Sequence, residues 1–182
     1  MSAHSSRDDA TRSRSPSTED HRADAPTSVR CAVLTISDTR TAETDRSGEL
    51  VRQSLRWRGH DIIAYEIVPD DVSRIIDLLQ EWIATPDIQA IITNGGTGIA
   101  GRDNTYEAIV SLLDKQLQGF GEIFRMLSYG EIGAAAMLSR AVAGVAAGTA
   151  IFSVPGSSNA VTLAMEKLIG PEIGHVVLEL TK

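Results

Sequence analysis

The feature that most constrains this chain is an alternation. Short apolar runs at residues 31–36, 62–68 and 88–93 are separated by two stretches of helical spacing. Runs of this length, rich in Val and Ile and closed by polar turns, are buried strands. Between them Leu50, Val51 and Leu55 recur on one helical face, as do Val72, Ile75, Ile76, Leu79 and Ile83. Gly59 stands where a left-handed C-cap would end the first helix, and Pro86 separates the second helix from the third strand. Consecutive strands joined through helices run parallel, and a parallel sheet must be covered on both faces. The expected fold class is therefore α/β, a three-layer α/β/α domain with a mostly parallel sheet. Further along, the pattern predicts a helix over 104–113 and a break at Gly119-Phe120-Gly121. Two short helical pieces near 122–127 and 131–140 follow, then a Gly- and Ala-rich segment, 141–148. A fourth strand over 149–154 leads to a helix from an N-cap at Ser157 to residue 169, and a last helical stretch covers 173–180.

Residues 1–28 contain no Val, Ile, Leu, Phe, Trp or Tyr, so almost nothing there offsets the entropy of ordering. They are expected to form a disordered tail, and residues 29–182 a single domain. The tail lacks the apolar core of a secretory signal, and its acidic residues do not suit a transit peptide. No apolar run approaches the roughly 18 residues of a membrane helix. The single cysteine, Cys31, excludes an internal disulfide framework and fits a reducing compartment, so the expected location is the cytoplasm. Net charge is −7, with 17 Lys and Arg against 24 Asp and Glu, which disfavours nonspecific nucleic-acid binding. The tail carries four Arg and five acidic residues, so the remaining residues keep the same balance.

In a doubly wound sheet, ligands bind beyond the C-terminal strand ends. The loop Gly95-Gly96-Thr97-Gly98 sits there, and its glycines let backbone N–H groups approach an anion closely. A tight turn is the plainer reading. Residues 96–101 also satisfy G-x-G-x-x-G, the dinucleotide fingerprint, which leaves a nicotinamide-dependent oxidoreductase as one reading. Against it, the predicted helix starts after the motif, and no acidic residue ends a strand about 20 residues later. Asp70 and Asp103 are placed just past strands on one rim, where two carboxylates could hold Mg²⁺ together with water and substrate phosphates. Each could equally cap the helix that follows it. Asp38 and Asp45, after the first strand, carry the same alternatives. Arg102 and Arg140 are candidate phosphate partners, or solvated surface arginines. Three lysines leave little for Schiff-base chemistry, the four histidines lack metal-ligand spacing, and Ser37, Ser139, Ser157 and Ser158 lack a nucleophile elbow.

Taken in order, Thr93-Asn-Gly-Gly-Thr-Gly98 with Arg102-Asp103, then Gly119-Phe-Gly-Glu122, Ser139-Arg140 and Pro155-Gly156-Ser157 resemble the MoaB/Mog family of molybdenum cofactor biosynthesis. Leu34-Thr-Ile-Ser-Asp38, Asp45-x-Ser-Gly48 and Pro69-Asp70 extend the likeness, which covers about residues 30–182. Residues 128–133 and 139–144 are closer to the MoaB branch. Asn94 stands where many members have Thr. The resemblance implies a molybdopterin-binding domain that adenylylates molybdopterin with Mg²⁺ and ATP and releases pyrophosphate. A noncatalytic molybdopterin-binding module of the same pathway is the alternative. It implies catalytic and metal-binding roles for Asp70 and Asp103. Substrate and nucleotide contacts fall to Ser37, Asp38, Asp45, Gly95, Gly96, Thr97, Gly98, Arg102, Ser139, Arg140, Pro155, Gly156 and Ser157. The expected partners are molybdopterin, ATP, further copies of the chain in a homotrimer or homohexamer, and a molybdenum-insertion protein downstream, with no nucleic acid and no membrane. The small-residue segments 132–138 and 141–148 are expected near a subunit boundary.

Overall fold

Six strands form one mixed sheet in the order β2-β1-β3-β6-β5-β4. They are β1 (Arg30–Ile36), β2 (Asp61–Val68), β3 (Ala90–Gly95), β4 (Lys115–Gln116), β5 (Val142–Ala146) and β6 (Thr149–Val154). The computed structural model describes residues 25–101 and 103–182, so Arg102 and all but the last four residues of the expected tail lie outside the described residues. Those four are placed: Ser28 Oγ donates to Asp61 Oδ2 at 3.1 Å, and Pro26 lies against Gly174. The strands β2, β1, β3 and β6 are parallel, as the alternation requires, while β5 runs antiparallel to both its neighbours.

Helices cover both faces. On one, α1 (Arg46–Trp57), α4 (Gln118–Ile132), α5 (Ser158–Ala164) and α6 (Gly170–Leu180) enclose Val51, Leu55, Phe124, Met165, Ile169 and Ile173. On the other, α2 (Val72–Ile83) and α3 (Thr105–Leu112) enclose Leu34, Ile75, Leu79, Ile91 and Ile109. Gly59, with φ of +84°, follows the C-cap of α1 as the sequence predicts. Among the described residues, no helix is long and apolar enough to cross a membrane.

Three local expectations are corrected. Gly119-Phe120-Gly121 does not break the chain but lies in the first turn of a continuous α4, where missing side chains cost least. A Cβ on Gly121 would stand 2.7 Å from the Ala141 carbonyl, so the glycine permits α4 to approach the start of β5. Residues 133–138 form a 3₁₀ turn, so the second helical piece near 131–140 is not an α-helix of its own. Helices α5 and α6 are joined without a break by a π turn, Met165–Ile169, in which the Gly170 N–H bonds to the Met165 carbonyl. Such a turn displaces the carbonyls that the Pro171 ring would otherwise meet.

Segment 141–148 is an internal hairpin, not a bare surface. Ala141, Val142, Ala143 and Ala146 are buried within the chain. Its small residues answer to close approach, since a Cβ on Gly144 would lie 2.4 Å from the Lys115 carbonyl. Ala147 and Gly148, at φ of +44° and +86°, make the two-residue turn into β6, and the Ala147 N–H donates to Asp114 Oδ2 at 2.7 Å.

Candidate functional site

The connection β1-α1-β2 moves one way along the sheet and β2-α2-β3 moves back past β1, so the crossover direction reverses between β1 and β3. That reversal opens a crevice at the strand ends, where α/β proteins bind ligands. Four loops converge there: residues 37–45 after β1, 69–71 after β2, 96–101 with 103–104 after β3, and 155–157 after β6. Ile36, Gly95 and Gly156 touch in sequence. A Cβ on Gly95 (φ +101°) would stand 2.1 Å from the Ile36 carbonyl, and one on Gly156 would stand 3.1 Å from Gly95 Cα.

Asp45 is almost wholly buried, 3% exposed, on the β1 side of this crevice. It is the N-cap of α1, accepting the Gly48 N–H at 3.0 Å. Its other oxygen accepts Thr35 Oγ1 at 2.6 Å and the Tyr65 hydroxyl at 2.7 Å. Burial opposes the charge of Asp45, yet the bonds from Thr35, the Gly48 amide, Tyr65 and Ser47 outweigh it and hold its pKa below the ordinary carboxylate value. Burial first, and then the bond to Asp45, push the Tyr65 hydroxyl up to about 12. Asn94, also fully buried, donates to Thr35 Oγ1 at 2.9 Å and to the Leu34 carbonyl at 3.3 Å, and accepts Ser47 Oγ at 2.5 Å. Arg40 donates to Ser47 Oγ, lies 3.5 Å from Asp45 Oδ1, and reaches the Gly156 carbonyl at 2.7 Å. Asp45 thus takes the helix-cap reading, with its lone pairs turned inward.

Asp70 and Asp103 differ. The cap of α2 is Asp71, whose side chain accepts the Arg74 N–H at 3.1 Å, and the cap position of α3 is Asn104. Neither Asp70 nor Asp103 caps its helix. Asp70 Oδ1 accepts Thr105 Oγ1 at 2.5 Å, while its own N–H donates to Asp38 Oδ1 at 2.9 Å. Asp103 Oδ2 accepts the Ala100 N–H at 2.8 Å and lies over Gly98, where a Cβ would sit 2.1 Å from that oxygen. Gly96 (φ +62°) faces Thr105, with 2.7 Å between a would-be Cβ and Thr105 Cγ2. The structure therefore brings Asp70, Thr105, Gly96, Gly98 and Asp103 to one rim. Among the described residues, no cluster of three or more His, Cys, Asp or Glu could hold a metal. A pair of carboxylates matches instead a hard cation completed by water and phosphate oxygens.

Arg140 faces the same loop from beneath. It donates to the Thr97 carbonyl at 3.2 Å, to the Gly98 carbonyl, to the Asp103 carbonyl at 3.3 Å and to Glu107, and stacks over Tyr106 with 4.7 Å to the ring centroid. Its guanidinium is thus spent on fixing the loop. Ser37 Oγ accepts the Thr39 and Arg40 N–H groups and shapes the first turn. Ser157 caps α5, accepting the Ala160 N–H at 3.2 Å. Half-buried Ser139 ends the 3₁₀ turn next to Arg140. Below the loop, register partners Thr93 and Ser153 carry buried hydroxyls without a hydrogen-bond partner.

Sequence reasoning missed Arg40, Thr105 and Tyr65 as members of this region. Arg40 was legible only as part of a polar turn, because its partners lie up to 116 positions away. The G-x-G-x-x-G match lacks the fingerprint's geometry, since α3 opens at Thr105, beyond Gly101. A cleft of about 540 Å³ between α1 and the π turn, lined by Leu50, Trp57, Arg58 and Met165, contains none of the expected site residues. Concavity alone does not locate the rim.

A three-layer sheet with a glycine rim and two uncapped carboxylates at its switch point defines an α/β ligand-binding domain. Residues 32–175 match the family described as "Probable molybdopterin binding domain", and the chain belongs to that MoaB/Mog family. It is 57% identical over 167 residues to Molybdenum cofactor biosynthesis protein B of Halalkalibacterium halodurans, covering 91% of this chain and 98% of that one. The Bacillus subtilis protein of the same name is 55% identical over 167 residues, with the same coverage. The fold matches a crystal structure of a Molybdenum cofactor biosynthesis protein B with a TM-score of 0.83 and 53% identity, over 86% of this chain and 98% of that one. It also matches the tungsten cofactor synthesizing protein MoaB from Pyrococcus furiosus, with a TM-score of 0.78 and 38% identity, over 87% and 100% of the two chains.

Proposed function

We propose that this protein acts in molybdenum cofactor biosynthesis in the cytoplasm, binding molybdopterin and adenylylating it with ATP. The observation that carries the catalytic reading is that Asp70 and Asp103 flank one glycine loop at the switch point while neighbouring residues occupy the cap positions. In this reaction a phosphate oxygen of molybdopterin attacks the α-phosphorus of ATP, the bond to the β-phosphate breaks, and pyrophosphate leaves. The chain supplies position and charge balance, with no covalent protein intermediate. The glycines, whose Cβ atoms would collide with Ile36, Thr105 and Asp103, let the loop fold tightly against the rim, and a Gly-rich loop of this kind can turn backbone N–H groups toward phosphate. Asp70 and Asp103 would hold Mg²⁺, which supplies neutralisation of phosphate charge. Arg140 keeps the loop shaped, and Asp38 orients the backbone of Asp70.

The same reading includes assembly. Met126, Tyr129, Ile132, Met137 and Leu138 present apolar side chains, each more than half exposed, on α4 and the 3₁₀ turn. Met126, Tyr129 and Met137 line one shallow apolar cleft, and exposed apolar surface of this kind suits a subunit boundary, which fits a homotrimer or a dimer of trimers. The deciding experiment is incubation of the full chain with molybdopterin, Mg²⁺ and ATP, followed by detection of adenylylated pterin and pyrophosphate. Formation of both supports the enzyme. Tight pterin binding with neither product would establish a noncatalytic binding module instead.

A further inference from the structure

Five side chains close a ring of hydrogen bonds in which Arg40 only donates and Asp45 only accepts. Arg40 Nη1 donates to Ser47 Oγ, Ser47 to Asn94 Oδ1, Asn94 Nδ2 to Thr35 Oγ1, and Thr35 to Asp45 Oδ2, while Asp45 Oδ1 faces Arg40 again. Each donor of the four buried members has an acceptor, the single Ser47 proton being shared between Asn94 Oδ1 at 2.5 Å and Asp45 Oδ1 at 3.2 Å, which makes the ring a satisfied polar network of the kind that fixes one geometry. Four of its members are buried, and only Arg40, with 28% of its side chain exposed, reaches out of it. The second edge of that guanidinium holds the Gly156 carbonyl at 2.7 Å. Gly95 and Gly156 meet with backbone alone, which gives no side-chain interlock. Among the described residues, the Arg40 fork is the side-chain hydrogen bond joining the loop after β1 to the turn after β6.

We propose that Arg40 is a positioning residue for the rim: the buried ring sets its guanidinium, and the guanidinium sets the Pro155-Gly156-Ser157 turn against the glycine loop. The functional half of this inference rests on the reading that the rim binds the phosphates of ATP and molybdopterin. A fork with two edges is required, because a lysine ammonium can meet the Asp45–Ser47 pair or the Gly156 carbonyl but not both in fixed geometry.

The test uses the full chain with Arg40→Gln and Arg40→Lys, read by hydrogen exchange at the Ala160 and Val161 amides, which bond to Ser157 Oγ and to the Ser157 carbonyl, by thermal melting, and by KM and kcat for adenylyl transfer. Arg40→Lys keeps a cation beside Asp45, so it melts close to the wild type. It nonetheless exchanges about tenfold faster at Ala160 and Val161, as expected when the turn that supplies their acceptors loses a charge-assisted hydrogen bond. KM rises about tenfold in both variants with a smaller change in kcat, the signature of lost ground-state positioning. Wild-type exchange at these two amides in Arg40→Lys overturns the inference, whatever Arg40→Gln does to stability. Failure of the functional reading looks different: the wild type then transfers no adenylyl group, while the exchange result stands on its own.

Discussion

Two acidic regions border the same crevice and are built in opposite ways. On the β1 side, Asp45 is buried, caps α1, and meets hydrogen-bond donors from Thr35, Ser47, Gly48 and Tyr65. Across from it, Asp70 after β2 and Asp103 after β3 are half-buried and lie beside a loop whose Gly95, Gly96 and Gly98 pack closely against Ile36, Thr105 and Asp103. On the proposed reading, the difference separates architecture from chemistry. A carboxylate enclosed by donors can order strand ends and helix starts but has no lone pair to offer a cation, whereas a rim carboxylate outside the helix caps can change partners when phosphate arrives.

The largest expected effect comes from breaking the buried side. Asp45→Ala leaves Arg40, Thr35 and Tyr65 facing an empty acceptor position and should cost about 3–5 kcal/mol of stability, the range for removing one partner of a buried pair. Urea unfolding measures it, and a loss under 1 kcal/mol would place Asp45 with the rim pair instead. The pH dependence sharpens the same contrast. Because the folded-state pKa of Asp45 lies below its ordinary value of 3.8, its ionisation stabilises the fold above that value, and the contribution disappears as pH falls through the lower folded-state pKa. Acid unfolding of Asp45→Asn should therefore lack part of the wild type's steep loss below pH 4. A curve parallel to the wild type's would remove Asp45 from that role. Tyr65→Phe deletes one donor to Asp45 and should cost about 1 kcal/mol.

The smallest effect is expected at Thr93 and Ser153, whose buried hydroxyls have no partner. Thr93→Val with Ser153→Ala removes both unsatisfied groups and should leave melting unchanged or slightly raised. A marked drop would reveal a polar contact beneath the loop that the isolated chain does not display.

Much of this arrangement was legible in the sequence. The parallel core strands β1, β2, β3 and β6 announced themselves as apolar runs, and α1 and α2 through one-sided spacing. Strand β5 did not, because Val142–Ala146 is mostly small residues and its turn is Ala147-Gly148 rather than the Asn-Gly that favours two positive φ values. Gly119-Phe120-Gly121 and Gly170-Pro171 read as breaks because local propensity disfavours helix there. Close packing against Ala141 in one case and the π turn in the other override it. For the site, local pattern gave the glycine loop and both rim aspartates, since each follows a strand. It left open whether the aspartates were caps, because Asp71 and Asn104 stand one residue further on and only geometry distinguishes them. The Arg40 ring could not be read from the chain, for it joins residues brought together only by the pairing of β1 with β3.

The contrast between the two acidic regions is tested most directly by measuring adenylyl transfer and thermal melting together in Asp70→Asn and Asp103→Asn, at saturating Mg²⁺ and ATP. Both substitutions keep the shape of the side chain and remove its charge. The expected result is a fall in turnover of about 100-fold or more in each variant, the scale of losing one electrostatic stabiliser of a reacting phosphate, with melting within a few degrees of the wild type. Full turnover in both variants, or a loss of activity that follows a loss of folding, would contradict the assignment of the rim pair to chemistry.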